Sequence, residues 1–177
     1  MKLFSKNFSN FFSNDGSQID KTFIKKKKKI IRNSLKNSLK QSKNKKNLIF
    51  IIYENNLEFY LFYLEILFSK NVIHIINSNI NQENLDNLVN KFSPNMIIFN
   101  KKKNFNYEKN YFNNFNSEFF KVNYQKKFTN HKINPNLAAL ISTSATTGSS
   151  KLVRLSYENI YHNTRSIIKY LKISHRD

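Results

Sequence analysis

The chain has 177 residues, enough for one domain with its own core, and its 40% hydrophobic and 15% aromatic content is compatible with folding. It has no cysteine, which excludes disulfides, thiolate metal sites and a cysteine nucleophile, and which fits a reducing compartment. The formal charge of +19 attracts polyanions, but arginine is scarce in a background rich in Lys, Asn, Ile and Phe; this argues for a solvated lysine surface over specific recognition of nucleic acid.

Residues 1–19 read as an irregular leader, without the unbroken apolar core of a signal peptide. From Asp20 to about Lys40 the spacing of Ile24, Ile31, Leu35 and Leu39 predicts a helix with lysines over its other faces. Leu48–Tyr53 is a continuous apolar run of strand length, suited to burial on both faces of a parallel sheet. After a turn at 54–56, Leu57 to about Ser69 reads as a strongly apolar helix. It is too short to span a bilayer and carries Glu58 and Glu65, so the chain is expected to be soluble and cytoplasmic.

Val72–Ile76 reads as a second buried strand. Asn81 can cap a helix over 82–92, with Leu85, Leu88, Val89 and Phe92 on one face and Pro94 as its stop. Met96–Phe99 gives a third strand. The alternation β-α-β-α-β predicts parallel strands joined by right-handed crossovers. Residues 100–117, rich in Asn and Lys, read as a long insert, 119–124 as a strand and 125–136 as a linker. Leu137–Ile141 and Lys151–Leu155 read as strands flanking a polar loop. Ser156 caps a final helix from Tyr157 to about Leu171, with Ile160, Thr164, Ile167, Ile168 and Leu171 as its inward stripe. No internal repeat is apparent. The four histidines are scattered, without metal-ligand spacing, and surface or half-buried structural roles are expected for them.

From Ser142 to Ser150 every residue except Ala145 and Gly148 carries a hydroxyl, and Lys151 closes the run. Small hydroxyl residues leave backbone N–H groups accessible and add donors of their own. Gly148, one of only two glycines, can take positive φ and let successive N–H groups converge on an anion. Lys151 adds a full positive charge. These residue types suit a loop wrapped around nucleotide phosphates; the plain alternative is a polar turn. The loop is not a Walker P-loop, because Lys151 opens a strand and not a helix.

The stretch from Leu137 to Asn159 resembles the signature of the adenylate-forming (AMP-dependent) synthetase and ligase superfamily, acyl-CoA synthetases included. That motif runs Thr-Ser-Gly-Thr-Thr-Gly-x-Pro-Lys-Gly, followed by a Ser or Thr and a helix. Thr143, Ser144, Thr146, Thr147, Gly148, Lys151 and Ser156 match it. Ala145, Ser150 and Leu152 stand where the motif has glycine, proline and glycine. If the first of these positions takes positive φ, its methyl group costs on the order of 1 kcal/mol. The resemblance covers roughly residues 20–177 and is specific mainly over 137–160.

The resemblance implies an α/β fold: a partly parallel sheet flanked by helices, like the N-terminal subdomain of an adenylate-forming ligase, truncated. Residues 20–177 would form the N-terminal part of an AMP-binding domain, incomplete at its C-terminus, where family members continue with adenine-, ribose- and acid-binding segments and a catalytic lysine. It also implies ATP and a carboxylic acid as ligands, Mg²⁺ bridging the phosphates, and coenzyme A or a carrier thiol as acyl acceptor in a complete enzyme. Thr143, Ser144, Thr146, Thr147, Gly148 and Lys151 would hold the β- and γ-phosphates. The chain alone is expected to be inactive, with a separate chain carrying the missing segments as one candidate partner. The alternative is a basic nucleic-acid-binding or partner-binding protein without catalysis.

Overall fold

The continuous apolar runs form the centre of a seven-stranded sheet. In the computed structural model, which describes residues 18–39, 46–103, 105, 111–116, 120–125, 132–142 and 152–174, the elements follow in chain order. They are α1 (Lys21–Leu39), β1 (Leu48–Ile52), α2 (Leu57–Phe68), β2 (Val72–Ile76), α3 (Gln82–Phe92), β3 (Met96–Asn100), β4 (Tyr111–Asn116), β5 (Phe120–Gln125), β6 (Leu137–Ser142), β7 (Leu152–Ser156) and α4 (Tyr157–Tyr170). The sheet order is β4-β5-β3-β1-β2-β6-β7. β3, β1, β2 and β6 are mutually parallel, and an antiparallel pairing closes each side, β5 and β4 beyond β3 and β7 beyond β6.

The parallel centre, the helices between its strands and the overall α/β class agree with the sequence. β1 moves to β2 on one side of itself, and β2 returns to β3 on the other. With right-handed crossovers, α2 and α3 must then lie on opposite faces. Packing shows this. Ile49, Ile51, Ile73 and Ile98 join Phe59, Phe62 and Ile66 of α2 and Ile24, Ile31 and Leu35 of α1. Phe50, Ile52, Ile97 and Phe99 join Leu85 and Val89 of α3. Each such side chain taken fully from water contributes about 1.5–3 kcal/mol.

α1 is held on α2 by charge as well as by its Ile24–Ile31–Leu35 stripe. The Glu58 and Glu65 carboxylates of α2 are almost wholly buried. Lys27 Nζ donates to Glu58 Oε1 at 2.8 Å. Arg32 Nε and a terminal guanidinium nitrogen donate to the two Glu65 oxygens at 2.9 and 3.0 Å, with Lys28 Nζ at 3.9 Å. Two carboxylates buried on an apolar helix need such partners, and the lysine-rich helix supplies them.

Asn47, Asn71 and Asn95 stand immediately before β1, β2 and β3 and recur at 24-residue intervals. Asn71 Oδ1 accepts from both the Asn47 backbone N–H and its side-chain amide, and Asn95 Oδ1 accepts from the Leu48 N–H. The Asn47 carbonyl accepts from Val72 N–H, and the Leu48 carbonyl from Asn95 N–H. The buried amino edge of the parallel sheet is thereby satisfied with hydrogen bonds. This regularity is a repeat of β-α units that the sequence reading did not find.

Two further expectations are corrected. The 100–117 segment is not wholly an insert: residues 111–116 form β4 and pair with β5, with an irregularity between Asn113 and Phe115. Strand formation there depends on backbone pairing with a neighbour, which composition does not report. The inward stripe expected for α4 holds at Ile160 and fails beyond it. No residue of α4 is buried, and Ile167, Ile168 and Leu171 are exposed. Among the described residues nothing lies beyond the edge strand β7, so the sheet supports only the first turns of α4, through Tyr157 and Ile160.

Candidate functional site

The sequence singles out the nine residues between β6 and β7, and those strands fix where they leave the sheet. β6 runs parallel to β2, with Ile73, His74 and Ile75 opposite Ala139, Leu140 and Ile141. Its last residue, Ser142, therefore stands at the carboxyl edge of the parallel strands. β7 returns antiparallel with Leu152 opposite Ser142. Ser142 and Leu152, which flank residues 143–151, consequently stand side by side at the same edge. Open α/β sheets bind ligands at this edge, near the point where successive helices diverge to opposite faces. Here that divergence is between β1, which leads into α2, and β2, which leads into α3. β6 is the next strand along.

Thr143, Ser144, Thr146, Thr147, Gly148 and Lys151 themselves lie outside the described residues. Ser156, the last matching position, is placed: it is the N-cap of α4. Its hydroxyl accepts from Asn159 N–H, and Asn159 Oδ1 accepts from Ser156 N–H, a reciprocal capping box. Ser156 stands opposite Leu137, at the start of β6. The N-terminus of α4 is thus at the amino edge, a full strand length from Ser142 and Leu152.

The amino edge has its own anchor for α4. The Tyr157 hydroxyl donates to the Asn71 carbonyl at 3.1 Å. Lys46 Nζ lies 4.8 Å from the Tyr157 ring centroid and donates to the Pro135 carbonyl at 2.6 Å. Burial, with Lys70 as a lesser cause, pulls the Lys46 ammonium down to about 8. Burial likewise pushes the Tyr157 phenol up to about 12, so it stays a donor at neutral pH.

On the α3 face, beside the end of β6, lies a histidine whose expected surface or half-buried place the structure corrects. His74 of β2 is completely buried. Its ring packs edge-on to Phe50 at 4.8 Å and to Phe92 at 6.3 Å between centroids. His74 Nε2 lies 3.1 Å from Ser142 Oγ. Nδ1 is buried with no hydrogen-bond partner among the described residues. Burial pulls the imidazole down to about 4, so it is neutral at physiological pH. A histidine inside an otherwise apolar strand sequence, Val-Ile-His-Ile-Ile, was the available signal. His162, by contrast, is exposed on α4, 3.9 Å from Glu158. Among the described residues no group of three or more His, Cys, Asp or Glu is arranged to hold a metal ion.

No protein-family model matches the sequence, and no curated protein matches it. Solved structures do. Apo MatB from Rhodopseudomonas palustris is similar with a TM-score of 0.65 at 16% identity, over 98% of this chain and 37% of that one. The ATP-bound form of MatB gives 0.64 at 15% identity over the same shares. The N-terminal subdomain of Klebsiella oxytoca NpsA gives 0.55 at 17% identity, over 83% of this chain and 38% of that structure. The chain has the α/β fold found in the N-terminal part of adenylate-forming ligases. It spans little more than a third of the MatB chain.

Proposed function

We propose that this chain is the N-terminal part of an adenylate-forming ligase of the acyl-CoA synthetase type, and that its 143–151 segment binds the phosphates of ATP. One observation carries this reading: six hydroxyl residues with Ala145, Gly148 and Lys151 join β6 to β7, whose adjoining ends Ser142 and Leu152 stand at the carboxyl edge of a sheet with the adenylate-forming ligase fold. A structure of that fold, MatB, has been solved with ATP bound. In this reading the amides and hydroxyls of Thr143, Ser144, Thr146, Thr147 and Gly148 surround the β- and γ-phosphates, and Lys151 adds charge. The loop's hydroxyl oxygens are donors of the kind Mg²⁺ accepts, and the ion would arrive with the triphosphate and neutralise part of its charge.

The overall reaction is the joining of a carboxylate to ATP. The carboxylate oxygen attacks the α-phosphorus, the bond to the bridging oxygen breaks, and pyrophosphate leaves, giving an acyl-adenylate. A thiol, coenzyme A or a carrier, then receives the acyl group. A carboxylate is already a nucleophile, so the first step needs no general base. Its barrier falls through positioning and through neutralising charge on the departing pyrophosphate. The loop's part is confined to holding that leaving group. The acid and the adenine would be bound by segments beyond those present here, supplied by a longer or a separate chain, and the chain alone is inactive. Among the described residues no helix is long and apolar enough to cross a membrane; cytoplasmic location remains part of the proposal.

The test is equilibrium binding of Mg·ATP to the purified chain, by calorimetry or a fluorescent ATP analogue. Weak binding is expected, with Lys151→Ala lowering affinity about tenfold, the loss of one charged contact to phosphate. Unchanged affinity in that variant would remove Lys151 from the site. Acyl-adenylate formation by the chain alone would contradict its inactivity.

A further inference from the structure

The geometry points to His74 as a positioning residue that fixes the root of the phosphate loop by holding Ser142 from inside the core. It deepens the nucleotide reading by naming what orients that loop from beneath.

Ser142 is the last paired residue of β6 and the first of the hydroxyl run. On β2, His74 pairs with Leu140, two residues before Ser142. Leu140 and His74 both contact the α3-side core, and alternation along β6 returns Ser142 to that same face. There the Ser142 hydroxyl meets Nε2 at 3.1 Å. The ring cannot drift, because Phe50 and Phe92 hold it edge-on and it has no exposed surface.

The tautomer follows from the unpartnered nitrogen. A buried N–H without an acceptor is costlier than a buried lone pair without a donor, since carbonyl-type acceptors are left under-satisfied more often than N–H groups are. Nδ1 has no partner among the described residues, so the proton belongs on Nε2, which donates to Ser142 Oγ. The Ser142 hydroxyl then keeps its own proton to donate elsewhere. A Ser–His pair at this distance also raises the question of nucleophilic catalysis. The geometry opposes it: among the described residues no carboxylate orients Nδ1, and the ring is sealed from solvent. The pair orients; it does not react.

The experiment uses the full chain and three variants: His74→Phe, which keeps an aromatic ring without a donor; His74→Gln, whose amide N–H can replace Nε2–H; and Ser142→Ala. The first readout needs no ligand. Amide hydrogen exchange at Ile141, Ser142, Leu152 and Val153 should quicken about tenfold in His74→Phe and Ser142→Ala, the loss of one buried hydrogen bond. Exchange at Ile49 and Ile97 should not change, and His74→Gln should restore the slow rate. The second readout is Mg·ATP affinity, which should fall in His74→Phe and recover in His74→Gln. No change at the β6–β7 mouth, or an equal change throughout the sheet, overturns the inference, since a simple packing role would do either. A local change at the mouth in a chain that does not bind ATP supports the role of His74 and overturns the nucleotide reading instead.

Discussion

Holding an imidazole neutral inside an apolar face has a consequence that acid reveals. The ordinary histidine value is 6.5, and burial lowers that of His74 to about 4. Above pH 6.5 both the folded and unfolded chains carry a neutral ring, and there is no penalty. Below it, the unfolded chain binds a proton that the folded chain refuses until about pH 4. His74 therefore removes stability as pH falls from 6.5 toward 4, by about 3 kcal/mol at the bottom of that window. Urea unfolding at pH 7 and pH 5 should show a smaller loss on acidification in His74→Phe than in the native sequence. Equal losses would mean that the ring is protonated in the folded protein. None of this was legible beforehand. The sequence displays a histidine between isoleucines, but its chemistry depends on Ser142, sixty-eight residues away and brought near by parallel pairing.

Among the elements, α1 tests how a charged helix is made part of a core. Its apolar stripe is narrow, and Arg32, Lys27 and Lys28 reach past it to the buried Glu58 and Glu65. The Arg32 side chain is 46% exposed while Glu65 is 3% exposed, so the carboxylate bears most of the desolvation. Arg32→Met should cost about 2 kcal/mol, discounted for the exposure of Arg32, because it leaves Glu65 with only the more distant Lys28. Adding Glu65→Leu should recover most of that loss, since an apolar pair no longer has a charge to bury. Chemical denaturation of both singles and the double mutant measures the coupling; simple additivity would deny it. The α1 stripe itself was readable from Ile24, Ile31 and Leu35, as were β1, β2, β3 and α3, because continuous apolar runs and helical spacing are local signals. β4 was not, since residues 111–116 become a strand only through pairing with β5. The 24-residue spacing of Asn47, Asn71 and Asn95 was visible but carried no meaning until the strand starts were aligned. The candidate loop was readable only as a set of residue types, hydroxyls with Gly148 and Lys151, and those residues lie outside the described ones. That its flanking residues Ser142 and Leu152 stand at the carboxyl edge needed the register of β6 against β2 and β7.

At the scale of the molecule, two properties oppose each other. The +19 charge keeps copies apart. The far end of the sheet invites contact: Ile141 and Val153 are exposed on β6 and β7, and Ile167, Ile168, Leu171 and Ile173 are exposed on and after α4. β7 adds an edge strand whose outer side pairs with nothing among the described residues. Apolar patches and open edges of this kind drive association when repulsion is weak. Salt decides between them, because it shortens the reach of the charge to about 8 Å at physiological strength and about 3 Å at 1 M while leaving apolar attraction intact. Self-association, followed by sedimentation velocity, should therefore grow as salt is raised. The pair Ile168→Lys and Leu171→Lys should suppress it at every salt concentration, since both residues are exposed and their loss leaves the core untouched. Association that instead weakened with salt would have to arise from the lysines, bridged by an anion, and would place the sticky surface on the basic helix α1 and away from α4.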